Sequence, residues 1–341
     1  MDKNGFLLMP LLVVLTGVLF GLNLVLGSVN IPFREAVAIL SGHVHDMPEY
    51  ESWRYIIMES RLPQAIVALL AGPSLALSGL MLQSAFRNSL AGPDVFGVSS
   101  GAGLAVALVM LGLGGSVSVG SFSMTGFLAI FVAAFIGAML VMCIITAFSE
   151  LVRNQTVLLI VGIMIGYLSG SATSLLNFFA SSEGVKSYMV WGMGSFGNVA
   201  LDDIPLFSMV CLVGLSLSFL LVKPLNALLL GEQYAENLGF NVRHLRRWLL
   251  VVTGMLTAIV TAFCGPIAFV GLATPHIGRL LLSSENHRKL MPSTMLLGAV
   301  IALLCNLICS LPGEKGMIPL NAVTPIFGAP VIIYVIAKRH I

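Results

Sequence analysis

The sequence has few charged residues: Asp, Glu, Lys and Arg together make up 9% of its 341 residues. A water-soluble domain carries roughly 25% charged residues, so this chain has too few to cover a surface that faces water. The apolar residues reach 57%, and the mean hydropathy is +1.00. The 17 Lys and Arg residues are scattered rather than clustered, which argues against nucleic-acid binding. The composition therefore predicts an integral membrane protein.

The sequence also lacks the motifs of common enzyme classes. It contains no GxxxxGKS/T phosphate loop, no HExxH, no GxSxG and no GxGxxG after a strand. The five cysteines lie in apolar stretches without metal-ligand spacing, so we interpret them as packing residues. Ionisable residues at membrane depth, which usually mark a functional site, are nearly absent from the apolar stretches. We therefore expect no catalytic residues, no metal and no cofactor bound by this chain itself.

Windows without charge locate the membrane spans, because a transmembrane helix needs about 20 mostly apolar residues. The window 95–149 is 55 residues long and must hold two spans, which part near Gly114–Ser123. The stretch 249–282 contains Gly265–Pro266 and fits either one long span or two short ones. Single spans are expected in the windows 4–33, 62–86, 154–182, 204–222, 290–313 and 316–337. The first window is too long for the apolar core of a cleavable signal, so we expect a retained helix.

Charge bias decides between nine and ten spans. With ten spans, both termini and twelve of the 17 Lys and Arg residues lie on one side, which leaves five outside: Arg34, Arg54, Arg61, Lys186 and Lys315. Positive charge favours the cytoplasmic side of short loops. The sequence therefore predicts an all-α polytopic membrane protein of ten transmembrane helices, with both termini cytoplasmic and a single transmembrane domain over residues 1–341.

Two loops are long enough to hold structure. The outer loop, 31–60, has a polar tip in which His43, His45 and Met47 have the chemistry to contact a haem or metal, although we favour an ordinary polar loop. The cytoplasmic loop, 223–247, is punctuated like two very short helices joined at Gly231 and ended by Gly239. The apolar, Gly-rich segment 184–201 is too short for a span and fits a half-helix at the outer mouth.

The predicted spans contain many glycine, serine and proline residues and few charged residues. Such residues let helices approach closely or break, and plain packing explains most of them. A broken-helix pattern is typical of proteins that line a wide pathway. We predict pathway positions or helix breaks at Gly97, Ser99, Ser100, Gly101, Gly265, Pro266, Pro275, Gly328 and Pro330.

Four segments in order resemble one family. RLPQAIVALLAGPSLALSGLMLQSAFRNSLAGPDVFGVSSGAG (61–103) is similar to its RLPR, SGxxxQ, RNPLAxP and SSGA run, and LNALLLGEQYAENLGFNV (225–242) to its cytoplasmic coupling helices. GPIAFVGLATPHIGRLL (265–281) resembles its FVGLxxPHxxR signature, and VTPIFGAPVIIYVI (323–336) its last helix. The chain thus resembles the FecCD-type permeases, the membrane subunits of ABC importers for iron-siderophores, haem and cobalamin.

This resemblance implies a multi-pass protein of the bacterial inner membrane. It implies a homodimer in membrane lipid, two separate ATP-binding cassette subunits that bind and hydrolyse ATP, and an extracytoplasmic substrate-binding protein. The resemblance also implies roles for individual residues of this chain. ATPase coupling is expected at Leu228, Gly231, Glu232, Ala235, Leu238 and Gly239, with Ala235 and Leu238 on one face. A cytoplasmic gate is expected at Asn154, Gln155 and Thr156, and docking of the binding protein at Arg54, Arg61 and Lys315.

The chain departs from the family pattern at several places. Gln64 replaces the second Arg of RLPR, Ser89 replaces the Pro of RNPLA, and Asn306 stands where an Asp is common. The segment 317–321 reads MIPLN, where the family usually has Glu-Leu-Pro-x-Gly. We expect a permease that moves an iron-siderophore or related bulky metal chelate by alternating access, with cobalamin or haem as alternative cargoes. A stand-alone secondary transporter is the alternative of another class, but it needs ion-coupling carboxylates at mid-membrane that the sequence lacks.

Overall fold

A computed structural model describes residues 3–42, 49–114, 116–119, 122–152, 155–311 and 317–339, and this part of the chain is almost entirely helical. The helices are α1 Lys3–Val25, α2 Phe33–Leu40, α3 Tyr50–Tyr55, α4 Leu62–Ala85, α5 Val98–Ala107, α6 Phe127–Leu151, α7 Gln155–Phe179, α8 Ser182–Gly192, α9 Ile204–Leu220, α10 Val222–Leu229, α11 Glu232–Asn237, α12 Val242–Cys264, α13 Val270–Leu282, α14 His287–Ser310 and α15 Leu320–Arg339. A hairpin of two antiparallel strands, β1 Ser116–Val119 and β2 Phe122–Thr125, joins α5 to α6.

Every predicted membrane window contains a helix. Within the described ranges, seven helices or helix runs are long and apolar enough to cross a membrane: Leu8–Val25, Tyr50–Ala85, Phe127–Leu151, Thr156–Phe179, Leu201–Leu220, Val242–Cys264 and His287–Ser310. Three further helices in the predicted windows, α5, α13 and α15, are shorter or have a shorter apolar stretch. The protein is therefore polytopic, and the stretch 249–282 is two helices rather than one.

Two long helices extend into the predicted loops. A π-helical turn, Ile56–Arg61, joins α3 to α4, so the end of the outer loop is already the start of a continuous helix from Tyr50 to Ala85. At the other loop, α12 begins at Val242, and the Asn241 side chain accepts one of the free backbone N–H groups of its first turn, that of His244, at 3.0 Å. Side-chain capping and helix continuation both extend the spans beyond their charge-free windows. The polar tip with His43, His45 and Met47 lies outside the described residues.

The predicted helix breaks are only partly present. Gly97 and Gly265 end or begin helices with positive φ values of 74° and 73°, which glycine tolerates better than other residues. Pro275, however, lies inside α13, and Gly328 and Pro330 lie inside α15, so these three residues do not break their helices. Proline is tolerated in membrane helices because neighbouring groups satisfy the freed carbonyls. The half-helix expected in 184–201 is α8, followed by 3₁₀ turns at Phe196–Asn198 and Leu201–Asp203.

Backbone contacts at glycine hold α4 against two neighbours. A Cβ atom added to Gly72 or Gly79 would overlap the carbonyl oxygen of Gly298 in α14 or of Gly271 in α13. Most of α4 is buried, whereas α7 is largely exposed. In lipid, helix association depends on such close packing rather than on the hydrophobic effect. Helix α4 is therefore the centre of the fold, with α13 and α14 fitted directly onto its backbone.

A pair of asparagines links α1 to α14 in the same core. Asn306 donates from Nδ2 to Asn23 Oδ1 at 2.9 Å, and Asn23 donates to the carbonyl oxygens of Leu19 and Leu303 at 2.8 and 3.0 Å. Both asparagines are about 95% buried. Because Asn306 donates to Asn23 and Asn23 donates to the Leu303 carbonyl oxygen, the two residues bond α14 to α1.

The glycine contacts predict a sharp difference between two alanine substitutions. Gly79→Ala forces α4 away from α13, so we expect a loss at the upper end of the roughly 1–3 kcal/mol that overpacking costs. Gly21→Ala is the matched control, because a Cβ atom there meets nothing within 4 Å. Thermal unfolding in detergent, followed by size-exclusion chromatography, measures both. Equal melting temperatures for Gly79→Ala and wild type would contradict the packing described.

Candidate functional site

The loop between α9 and α12 folds into two short helices, α10 and α11, which we call the coupling pair. Gly231 separates them with φ +125°, and Gly239 follows the second with φ +87°. The Phe240 N–H donates to the Ala235 carbonyl oxygen at 3.0 Å, which closes the end of α11. Both glycines occupy backbone conformations that other residues rarely adopt. The two-helix arrangement and its glycine punctuation are therefore as predicted.

The coupling pair has a buried face and an exposed apolar face. Leu225, Leu228 and Ala235 are buried in the core, whereas Leu230 and Leu238 are 66% and 55% exposed. The prediction that Ala235 shares a face with Leu238 is wrong, because α11 ends at Asn237 and Leu238 lies in the turn that follows. Leu228 and Ala235 therefore anchor the pair from within.

The exposed face contains two residues that sequence reasoning missed. These residues are Leu230 and Tyr234, which are 66% and 49% exposed, so with Leu238 this segment exposes three large apolar side chains. The four-residue spacing of Tyr234 and Leu238 was the available signal. Exposed apolar patches of this kind mark interaction surfaces, and this one lies outside the predicted spans.

An ion pair fixes α11 to the first turns of α12. Arg246 Nη2 donates to Glu232 Oε1 at 2.8 Å, and the Arg246 side chain is 9% exposed, whereas that of Glu232 is 43% exposed. Glu232 stands in the first turn of α11, where the helix dipole favours a negative charge. Glu232 thus contributes to the orientation of α11 within this chain.

Two clefts flank the coupling pair at its predicted cytoplasmic end. The larger, about 600 Å³, is lined by polar side chains that include Gln83, Arg87, His276 and Arg279. Arg279 donates to Gln83 Oε1 at 2.6 Å, and His276 Nε2 lies 2.7 Å from the Ser89 carbonyl oxygen. The second cleft, about 520 Å³, runs along Gly231, Glu232 and Tyr234 and shares Arg87 with the first.

The predicted gate residues precede and begin α7. Asn154 lies outside the described residues, Gln155 is the first residue of α7, and Thr156 is exposed in its first turn. The gate role itself remains a prediction. Among the described residues, no three His, Cys, Asp or Glu side chains are grouped so that they could hold a metal ion.

Of the three predicted docking residues, Arg61 has a structural role. Its guanidinium is buried and donates to the carbonyl oxygens of Leu24, at 3.1 Å, and of Val25 and Val29, where α1 ends. A cation at a helix C-terminus satisfies the last carbonyls and the dipole. The Arg61 side chain is therefore bonded within this chain, and its docking role stays a prediction. Arg54 is exposed in the last turn of α3, and Lys315 lies outside the described residues.

At the predicted outer side, one side chain joins three interrupted elements. Asn321 donates from Nδ2 to the carbonyl oxygens of Pro266 and Gly192, at 2.7 and 3.2 Å, and its Oδ1 accepts from the Ala268 N–H at 3.1 Å. The end of α8, the 265–269 connection and the start of α15 are thereby held together. The Asn321 amide thus satisfies backbone groups that the interrupted helices leave without partners. A cavity of about 190 Å³ lies beside it, lined in part by Ser195, Asn306 and Met317.

Comparison with known proteins identifies the class. The model of the FecCD transport family matches residues 13–338. The vitamin B12 import system permease protein BtuC of Citrobacter koseri is 35% identical over 286 residues, 83% of each chain. The hemin transport system permease protein HmuU of Yersinia pestis is 31% identical over 340 residues, 98% of this chain and 95% of its own. A solved structure described as an inward-facing conformation of a metal-chelate type ABC transporter matches with TM-score 0.81 and 28% identity, over 97% and 98% of the two chains.

The chain is therefore an ABC importer permease, a membrane subunit of such a transporter. It belongs to the FecCD transport family, as its motifs indicated, and it is a multi-pass protein of the bacterial inner membrane.

Substitutions of Arg61 and Arg54 are expected to differ in their effect on stability. Arg61→Gln removes bonds from a charged donor to three carbonyl groups, so we expect unfolding to become easier by about 1.5–3 kcal/mol. Arg54→Gln, at an exposed site, should leave stability within about 0.5 kcal/mol. Thermal unfolding of the two purified variants in detergent tests both. If Arg61→Gln were as stable as wild type, the capping role would be refuted.

Proposed function

We propose that this chain forms the homodimeric permease of an ABC importer that moves a bulky metal chelate by alternating access. The observation that carries the proposal is the coupling pair, with a buried face that fixes it to the core and an exposed apolar face of Leu230, Tyr234 and Leu238. Without a phosphate loop in the sequence, this surface is where separate ATPase subunits attach. Closure of those subunits on ATP displaces the pair, and the inner and outer gates open in turn.

The proposed topology has ten spans with both termini in the cytoplasm. The spans are α1, α4, α5, α6, α7, α9, α12, α13, α14 and α15, which places the coupling pair between the sixth and seventh. The twelve-to-five distribution of Lys and Arg supports this orientation. The shorter helices α5, α13 and α15 need shielding of their backbone ends, and the Asn321 contacts supply it for α15.

The proposed partners are a second copy of this chain, two ATP-binding cassette subunits and an extracytoplasmic binding protein. ATP is bound by the cassette subunits alone. Family membership favours this assembly over the stand-alone secondary transporter. Because the Arg61 guanidinium is bonded to carbonyl groups at the end of α1, we assign docking of the binding protein to other outer groups, among them Arg54 and Lys315.

The ATPase interface is tested at Leu238. Leu238→Gln removes apolar surface from the exposed face, so we expect about tenfold less ATPase subunit to co-purify with the permease. The matched control is Val37→Gln, a similarly exposed apolar position in α2 on the opposite side of the membrane. Co-purification of Leu238→Gln at the wild-type level would refute the assignment of this surface.

The cargo is tested by uptake. An iron-siderophore is the first candidate, with cobalamin and haem as alternatives, since relatives are named for vitamin B12 and hemin. Labelled ferric siderophore, haem and cobalamin are offered to a strain without this chain and to the complemented strain. Loss of uptake of one cargo, restored by the chain, identifies it. Unchanged uptake of all three in a strain without redundant systems would refute the metal-chelate assignment.

A further inference from the structure

A buried histidine connects the coupling pair to the core of the permease. Asn226, in α10, accepts at Oδ1 from the His287 backbone N–H at 2.8 Å and lies 3.0 Å from His287 Nδ1. On the other side of the ring, His287 Nε2 lies 2.7 Å from Ser84 Oγ in α4. His287 is 1% exposed and Ser84 is 5% exposed. One imidazole thus joins α10, α14 and α4.

The hydrogen-bond geometry determines which atoms of this connection donate and which accept. Asn226 Nδ2 donates to Asn286 Oδ1 at 3.1 Å, so the amide oxygen of Asn226 faces the imidazole. An amide oxygen only accepts hydrogen bonds, so His287 Nδ1 carries a hydrogen. In the neutral ring, Nε2 is then the acceptor of the Ser84 hydroxyl. Every polar atom of the imidazole is used, which makes its position specific.

A second bond attaches the same helix two residues further on. Arg87 Nη2 donates to the Leu228 carbonyl oxygen at 2.8 Å, in the last turn of α10. Carbonyl groups at this end lack a partner within the helix, and a guanidinium suits them. Helix α10 is therefore held at Asn226 and Leu228 by groups at the ends of α4 and α14.

The helices to which α10 is bonded, α4 and α14, pack closely against each other, and α4 also packs closely against α13. Gly72 and Gly79 of α4 leave no room for a side chain against Gly298 of α14 and Gly271 of α13. Gln83, one residue before Ser84, accepts from Arg279 at 2.6 Å and donates to the Leu272 carbonyl oxygen at 3.1 Å, both in α13. Close-packed surfaces transmit displacement rather than absorb it. A movement of α10 therefore reaches α4, α13 and α14 as one body.

We propose that His287, with Asn226 and Ser84, is a positioning relay that converts movement of the ATPase-bound coupling pair into movement of the α4–α13–α14 body. The proposal rests on the proposed function, since it needs an ATPase that displaces the pair. The relay residues touch neither cargo nor nucleotide in this scheme. Their effect is on how much transport accompanies each ATP hydrolysed.

Two substitutions of Asn226 test the relay. Asn226→Asp keeps an oxygen that accepts both His287 donors, whereas Asn226→Leu has none. Asn226 is only half-buried, which favours folding of both variants. Each is assembled with wild-type ATPase and binding protein in proteoliposomes, and cargo transported per ATP hydrolysed is measured. We expect Asn226→Leu to lower this ratio about fivefold or more and Asn226→Asp to keep at least half of it.

Ser84→Ala tests the other end of the relay, with a smaller reduction of the same ratio expected. ATPase co-purification should stay at the wild-type level in Asn226→Leu, whereas its melting temperature should fall moderately because the buried His287 donors lose their acceptor. An unchanged ratio, an equal reduction in both Asn226 variants, or loss of ATPase binding by Asn226→Leu would each overturn the relay. Failure of the wild-type chain to bind an ATPase would instead overturn the proposed function, which keeps the two failures distinct.

Discussion

In lipid, helices gain little from burying apolar side chains against each other, because the surrounding tails are equally apolar. Close backbone contact is therefore a main source of helix association, and in this protein the closest contacts described lie on α4. At Gly72 and Gly79 the backbones of α14 and α13 approach so closely that a methyl group has no space. The rest of the fold is arranged around this contact. Helix α1 joins through Asn23 and Asn306, and the coupling pair joins through His287 and Arg87.

The two ends of this packed body have different chemistry. At the predicted inner end, polar side chains in and just after the last turn of α4 bond to α10, α13 and α14, and the coupling pair exposes its apolar side chains. At the predicted outer end, helix breaks leave backbone groups that water cannot satisfy in a membrane, and Asn321 bonds three of them. In the proposed alternating access, one end must transmit the movement of the ATPase subunits and the other must open and close. The coupling pair is suited to the first role and the segments around Asn321 to the second.

Much of the helical architecture follows from the sequence, because the cost of a charge in lipid makes span positions visible as charge-free windows. The coupling pair was equally predictable, since Gly231 and Gly239 meet a strict backbone requirement. Contacts between distant segments were not predictable. Nothing local shows that Arg61 bonds to the end of α1, or that Ala235 points inward while Leu238 points outward.

The remaining differences have local physical causes. Pro275 and Pro330 looked like breaks, but a membrane helix continues through proline when neighbours compensate the lost bond. The strands Ser116–Val119 and Phe122–Thr125 lie where the sequence predicted only a loop. They were not predicted because a four-residue strand is too short for a periodic pattern to be visible. The role of Asn321 needed the folded structure, since its three partners come from Gly192, Pro266 and Ala268.

In the proposed function, separate ATPase subunits move this chain between its conformations. Native mass spectrometry of the complex purified from its own membranes tests it most directly. We expect two copies of this 36.1 kDa chain together with two copies of an ATP-binding subunit. A chain that is recovered intact and active in uptake, yet without any ATP-binding subunit, would contradict it.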